Sequence, residues 1–454
     1  MKKNITICLL FFAGFWLTFL ALQNEKIYFN SLGKISSNYV YLEDGMRGKE
    51  KKPYEKITNE NVLNWDGVHY YSIKEEGYAA EQDWKFAFFP LFSYIWKLST
   101  LSPSKVIFLN FGMFMLGLLL LAFLFKQKWK NTLLVLSLPM FAVFLIPYTE
   151  ATFFLMFSVA VWGYMKDKYW LYFIFMVLAS LSRNTILLVF PAILCAEILF
   201  FISERNVRKS LLRLSMGSLP VLVGTAFMSL IQYFSGSGGF LKFIEVQKYW
   251  GHTFSLPDLI NIRDWSHESF GINVPTLIMI GIPLLVYLTG IFLKQVNILK
   301  KNTDFFSFSS QNKSDYLNIV LLFCCLSAFL SVFLFRGGSL HGLSRFVLCS
   351  PYFVILLFLN QEKILSISLK KRLITFFVLA VFSFAIFPIS SYCSTFNFSY
   401  LGYFIFVGVT ALYLFKDTKQ QLAYTIFLWA VFLTSILWTT YLYNMYLCNG
   451  WLYT

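Results

Sequence analysis

Uninterrupted apolar runs of about 17–25 residues, each long enough to cross a bilayer as a helix, recur along almost the whole chain. In lipid a backbone must satisfy its own hydrogen bonds, which a helix does within one segment. The chain is therefore expected to be an all-α polytopic membrane protein. Composition agrees: 13% of residues are charged, whereas soluble domains carry about 25%. A length of 454 residues would suggest about three soluble domains, but the apolar runs replace that expectation with one integral-membrane domain spanning 1–454. The seven cysteines are odd in number and mostly inside apolar runs, with no Cys-x-x-Cys pair, so neither a disulfide framework nor a zinc site is indicated. No phosphate-binding glycine loop, dinucleotide fingerprint or 20–50-residue repeat is legible.

The first residues, Met-Lys-Lys, lead into an apolar run from Ile5 to Leu22. No small-x-small cleavage site follows, so 1–22 reads as a first membrane helix rather than a removed signal. Residues 23–85 hold 9 basic and 11 acidic side chains and cannot span. The apolar stretch Phe86–Thr100 is half a span. If it crossed, Lys126, Lys128 and Lys130 would fall outside, so it is placed at the surface, within an extracytoplasmic loop 23–105 carrying short juxtamembrane helices. Further spans are expected at 106–125, 131–148, 150–165, 169–182, 185–203, 212–234, 273–293, 316–335, 345–360, 373–390, 398–415 and 421–443, thirteen in all. The inside segments then carry 21 basic residues, from Lys2 to Lys419, against six outside: Arg183, Lys242, Lys248, Arg263, Arg336 and Arg345. That bias sets the N-terminus in the cytoplasm. It also accounts for the formal charge of +15 without a nucleic-acid partner. The two polar loops, 23–105 and 235–272, share the extracytoplasmic side.

Acidic and aromatic residues crowd the end of the first loop, Asn64-Trp65-Asp66-Gly67-Val68-His69-Tyr70-Tyr71. A charge at a membrane boundary is costly without a partner or a task. Asp66 precedes a short helix, Gly67–Glu76, ended by Gly77. It can serve as the N-cap or as a general base within reach of an acceptor hydroxyl, and capping would itself fix the carboxylate. At 100° per residue Asp66, His69, Ile73 and Glu76 share one stripe, a set that could bind a divalent metal or be a plain polar face. Arg183 and Arg345 sit at outside ends of spans, where a guanidinium either snorkels or grips a lipid phosphate. Gln247 and Trp250, at i and i+3 in the second loop, suit sugar binding or an amphipathic surface helix.

The block Asn64-Trp65-Asp66-Gly67-Val68-His69-Tyr70, with Gly77-Tyr78, Glu81 and Ala87-Phe88-Phe89-Pro90-Leu91, resembles the first-loop signature of the PIG-V family. These are the GPI mannosyltransferase II proteins and their bacterial relatives, within the GT-C superfamily of membrane glycosyltransferases. Ser182-Arg183-Asn184, the Gln247/Trp250 pair and Ser344-Arg345-Phe346 before Pro351 resemble later landmarks of that family. The resemblance implies a GT-C fold and an inverting transfer of mannose from a polyprenyl-phosphate donor to a lipid-linked or glycan acceptor. Asp66 would be the base, and Arg183 and Arg345 would stabilise the departing phosphate. Trp65, His69, Tyr70, Glu76, Glu81, Gln247 and Trp250 would bind substrate or tune the base. The chain lacks an obvious extra lumenal domain, so nothing specifies a GPI acceptor, and the Phe/Lys/Asn-rich composition points to a bacterial cytoplasmic membrane rather than an ER membrane. The rival function is a transporter or flippase of lipid-linked sugars. It would call for charged or broken helices at mid-membrane and repeated halves, whereas the polar groups here gather in the outside loops.

Overall fold

The computed structural model describes residues 1–24, 55–255, 272–296, 298, 304–335, 340, 342–390 and 399–449. Much of the first polar loop, residues 256–271 of the second, and Arg263, Arg336 and Cys393 lie outside the described residues. Among the described residues every regular element is helical. In chain order the α-helices of six residues or more are α1 (Lys2–Leu22), α2 (Asp66–Glu76), α3 (Pro90–Ser99), α4 (Val106–Leu124), α5 (Trp129–Leu136), α6 (Glu150–Met165), α7 (Tyr169–Ser180) and α8 (Val189–Glu204). They continue with α9 (Val207–Phe234), α10 (Ile282–Gln295), α11 (Lys313–Phe335), α12 (Leu343–Leu348), α13 (Pro351–Leu365), α14 (Leu369–Ser390), α15 (Ser399–Leu414) and α16 (Gln421–Leu447). Seven helical segments among the described residues are long and apolar enough to cross a membrane; α6, α7 and Tyr400–Leu414 are apolar but shorter.

Two of the expected spans are not continuous helices. In 131–148 the helix stops at Leu136 and gives way to a 3₁₀ turn, Phe141–Phe144, between Pro139 and Pro147. Every residue from Asn131 to Phe154 is buried, so this irregular backbone lies inside protein, a setting in which a membrane tolerates it. The run reads as a span because a segment buried on all sides is apolar on all sides. In 345–360 the chain breaks at Ser350-Pro351. Pro351 occupies the first turn of α13, and the Ser350 hydroxyl caps it by accepting from the Phe353 N–H at 3.2 Å.

Helices in lipid gain little from hiding apolar surface from one another and associate through close packing. Phenylalanine supplies much of it. Phe114 meets Phe144 and Phe154 with ring centroids 4.1 and 4.8 Å apart, and Phe11 meets Phe141 at 4.4 Å. Gly117 lets α4 approach α6, for a Cβ there would stand 2.8 Å from the Phe154 ring.

Polar contacts divide between the two ends of the bundle. At one end Asn4 meets Gln127, Lys130 meets Gln421, and Lys313 pairs with Asp167. Arg213 reaches Ser310, and Arg372 pairs with Asp417. All of these belong to the segments that the charge bias groups as inside. At the other end α2, α3, Arg183, Lys242–Trp250 and α12 converge. The short helix α3, about 15 Å long at 1.5 Å per residue, returns without crossing, and Ser104 N–H reaches back to the Asn59 side chain at 3.1 Å. Both Lys166 and Tyr249 are exposed. Cysteines introduced at these two positions should react with an impermeant thiol reagent from opposite sides of sealed vesicles. Labelling of both from one side would contradict the division into two polar ends.

Candidate functional site

The segment before α2 is tied to the last helix. The Tyr446 hydroxyl lies 2.8 Å from the Val62 carbonyl and 2.9 Å from that of Asn64, while the Asn64 amide donates to the Tyr446 carbonyl at 2.7 Å. Gly67 lies so close to α16 that a Cβ would stand 2.7 Å from the Tyr446 hydroxyl and 2.8 Å from Pro147 Cγ. To enter the helix at this contact the chain places Trp65 at φ 51°, a left-handed conformation that costs a bulky residue about 1–3 kcal/mol. Trp65 is therefore the N-cap, without a side-chain cap bond, and Asp66 is the first helical residue. The capping role open to Asp66 is not the one it takes. Its carboxylate lies in the first turn, near the positive end of the helix dipole, and turns to a guanidinium.

That guanidinium is Arg345, whose Nη2 donates to Asp66 Oδ2 at 3.2 Å and whose Nε donates to Glu150 Oε1. Arg183 Nη1 pairs with the same Glu150 oxygen. Arg345 also lies 4.6 Å over the Tyr148 ring, and Arg183 lies 5.2 Å over Phe346. Two carboxylates and two guanidiniums thus form one chain of contacts with no net charge. Side-chain exposure is greatest at Asp66, 29%, and least at Glu150, 3%, with Arg345 at 16% and Arg183 at 10%. Local structure places each member. Glu150 begins α6 directly after the Pro147 break. Arg183 occupies one extended residue, φ −160°, between α7 and a 3₁₀ turn, held where the Leu91 N–H reaches the Leu181 carbonyl at 3.0 Å. Arg345 lies in α12.

Three members of this chain, Asp66, Arg345 and Arg183, line a cavity of about 400 Å³, together with Trp65, His69, Tyr70, Phe88, Gln247 and Trp250; Glu150 is not in the lining. Gln247 and Trp250 stand on a 3₁₀ turn, Val246–Trp250, where residues three apart eclipse. The His69 ring packs 4.6 Å from Trp84, 4.5 Å from Phe88 and 5.4 Å from Trp250. Burial among these rings pushes its pKa below the ordinary imidazole value, with Lys85 acting in the same direction and Asp66 opposing. Burial, then the Asp66 charge, raises the Tyr70 hydroxyl, which stays a proton donor. Lys242 joins the second loop to the first by its ion pair with Asp83 at 2.8 Å, and the Gln232 amide donates to the Phe86 carbonyl at 2.7 Å.

The cavity therefore gathers Trp65, Asp66, His69, Tyr70, Arg183, Gln247, Trp250 and Arg345. Two expected residues lie elsewhere. The Glu76 carboxylate pairs with Lys85 at 2.7 Å and accepts from Ser72 at 2.9 Å, and Glu81 is exposed outside the lining. Asp66, His69 and Glu76 consequently form no metal-ligand set, and among the described residues no three His, Cys, Asp or Glu side chains cluster suitably for a metal. The stripe on α2 fixes direction around the helix axis, whereas the fully buried Lys85 decides where Glu76 goes. Sequence reasoning missed Glu150, Tyr148 and Lys85. An acidic residue heading an apolar run was the available signal for Glu150; Lys85, one of many lysines in a polar loop, offered none.

Tyr446→Phe should cost about 1–3 kcal/mol of stability by stripping partners from the Val62 and Asn64 carbonyls, read as a lower unfolding temperature in detergent; an unchanged temperature would count against the tether. His69 gives a second test. Its folded pKa lies below the ordinary 6.5, so the contribution of its neutral form is intact above about pH 6.5 and is lost as pH falls through the folded value. Stability should therefore drop more steeply below that pH in the wild type than in His69→Asn, and parallel curves would contradict the buried neutral ring.

No family model matches the chain, and no curated protein matches it. Among solved structures, the crystal structure of ArnT from Cupriavidus metallidurans bound to undecaprenyl phosphate is similar at 13% identity and a TM-score of 0.45, covering 92% of this chain and 76% of that one.

Proposed function

We propose that this protein is a membrane glycosyltransferase of the GT-C type that moves a sugar from a polyprenyl-phosphate donor to an acceptor hydroxyl. The observation that carries the reading is the convergence of Asp66, Arg183 and Arg345 on one cavity at the polar end of an apolar bundle. The cavity volume of about 400 Å³ falls in the ~300–1,000 Å³ range of small-molecule sites. In the proposed reaction the acceptor oxygen attacks the anomeric carbon and its proton passes to Asp66. The bond from that carbon to the phosphate oxygen breaks, and its electron pair leaves with the polyprenyl phosphate. Arg345 engages Oδ2 of Asp66, and Oδ1, outside that ion pair, takes the proton. Arg183 and Arg345 supply positive charge where the leaving phosphate gains negative charge. The aromatic wall of Phe88 and Trp250, with the Gln247 amide, suits a sugar ring.

The finer reading is an inverting mannosyltransferase acting on the extracytoplasmic face of a bacterial cytoplasmic membrane, with a lipid or glycan acceptor. Its support is the resemblance of the first-loop block to the PIG-V family and the lysine-rich opposite end, which the positive-inside rule assigns to the cytoplasm. Membranes carrying the chain should transfer label from polyprenyl-phosphate mannose into lipid-extractable product. Asp66→Asn should lower the rate by about 10²–10⁴-fold at equal protein level. Transfer by the variant at the wild-type rate would remove Asp66 as the base, and retention of label in the donor by both would refute the mannosyl reading. Arg183→Ala should raise the donor concentration needed for half-maximal rate, and unchanged kinetics would take it out of the donor site.

A further inference from the structure

We infer that Glu150 is a positioning residue for the transfer, taking over the Arg345 guanidinium as Asp66 gives it up. This inference rests on the transferase reading above. Three observations carry it. Glu150 is 3% exposed, and both guanidiniums of the site meet its Oε1. Its other oxygen, Oε2, is buried with no hydrogen-bond partner among the described residues, an expensive state for a carboxylate oxygen. Arg345 meanwhile splits its planar fork, Nε on Glu150 and Nη2 on Asp66, although a guanidinium is shaped to bind one carboxylate with two parallel bonds.

The split fork and the unpartnered oxygen are complementary. When Asp66 accepts the acceptor's proton it becomes neutral and loses its hold on Nη2. A small turn of the guanidinium brings Nη2 to Oε2, and Arg345 becomes bidentate on Glu150. No bond to carbon changes in this step; one hydrogen bond is exchanged for another. The positive charge stays fixed beside the departing phosphate throughout the exchange. Besides Arg345, the groups among the described residues whose charge couples to Asp66 are His69 and Tyr70 on its own helix, Tyr148 and Tyr446. None of these is a second anion. Glu150 is thus the nearby carboxylate able to receive the fork. It also keeps Asp66 from being the sole counter-anion of two cations, which would hold the base in a permanent ion pair.

The test compares wild type, Glu150→Gln, Glu150→Asp and Asp66→Asn in the labelled-donor assay, resolving kcat from donor KM. Glu150→Gln keeps shape and removes charge. It should lower kcat roughly a hundredfold, the scale on which misplaced catalytic groups act, with donor KM changed much less. Glu150→Asp, which keeps the charge but draws it back by one methylene, should recover part of the loss. A purely structural role would lower the amount of active protein without splitting kcat from KM and without rescue by Asp. Glu150→Gln with wild-type kcat overturns the inference, as does a rise in KM at unchanged kcat. If Glu150→Gln does not accumulate, Glu150→Asp decides: reduced kcat at unaltered KM supports the role, and parity overturns it. Transfer by wild type that survives every Glu150 change defeats this inference alone, whereas absence of transfer in wild type defeats the underlying reading with it.

Discussion

One buried carboxylate oxygen, Glu150 Oε1, holds two guanidiniums at the end of an apolar bundle, and the arrangement of the site follows from that contact. Charges so placed are stable only when paired; removing one partner of a buried pair costs about 3–5 kcal/mol. Glu150 therefore fixes Arg183 and Arg345 where neither could remain alone. Arg345 carries the constraint outward to Asp66, the most exposed member of the set. The backbone is bent to meet it: the chain enters α2 through a left-handed tryptophan, with Gly67 pressed against Tyr446 and Pro147.

The helices behind the site serve this geometry. The stretch from Ser137 to Thr149, irregular apart from one 3₁₀ turn, is buried, and it delivers Glu150 to the polar end of the bundle three residues after Pro147. The helix α3 lies beside the membrane end instead of crossing. Its Ser93 hydroxyl donates to the Tyr70 carbonyl at 2.8 Å, which ties the aromatic wall to α2. The second loop, held to the first by the Lys242–Asp83 ion pair, adds Gln247 and Trp250 to the lining. A cavity formed by residues from six separate stretches of the chain, with two guanidiniums in its lining, suits a reaction in which a phosphate gains charge as it leaves.

Much of this was legible before any coordinates. Charge bias alone grouped Arg183, Arg345 and both polar loops on one side, and those residues meet in one cavity. Apolar run length gave α4 and α6 nearly to the residue, because a helix that meets only lipid or other helices is apolar for its whole length. The rest depended on contacts that a linear pattern does not record. The 131–148 run looked like a span since full burial erases periodicity. Asp66 looked like a cap since the preference for Asp at that position is local, while the Gly67–Tyr446 contact that shifts the helix start is long-range. Glu76 looked like a third ligand because a helical stripe gives direction without distance, and Lys85 claims it.

The most direct test of the account is a structure of the protein with a polyprenyl phosphate bound. The phosphate should lie between Arg183 and Arg345, its oxygens about 2.7–2.9 Å from their nitrogens, with Asp66 open to the acceptor side of the cavity. A phosphate bound elsewhere, for instance among the lysines at the opposite end, with the four-charge cluster unchanged, would contradict it.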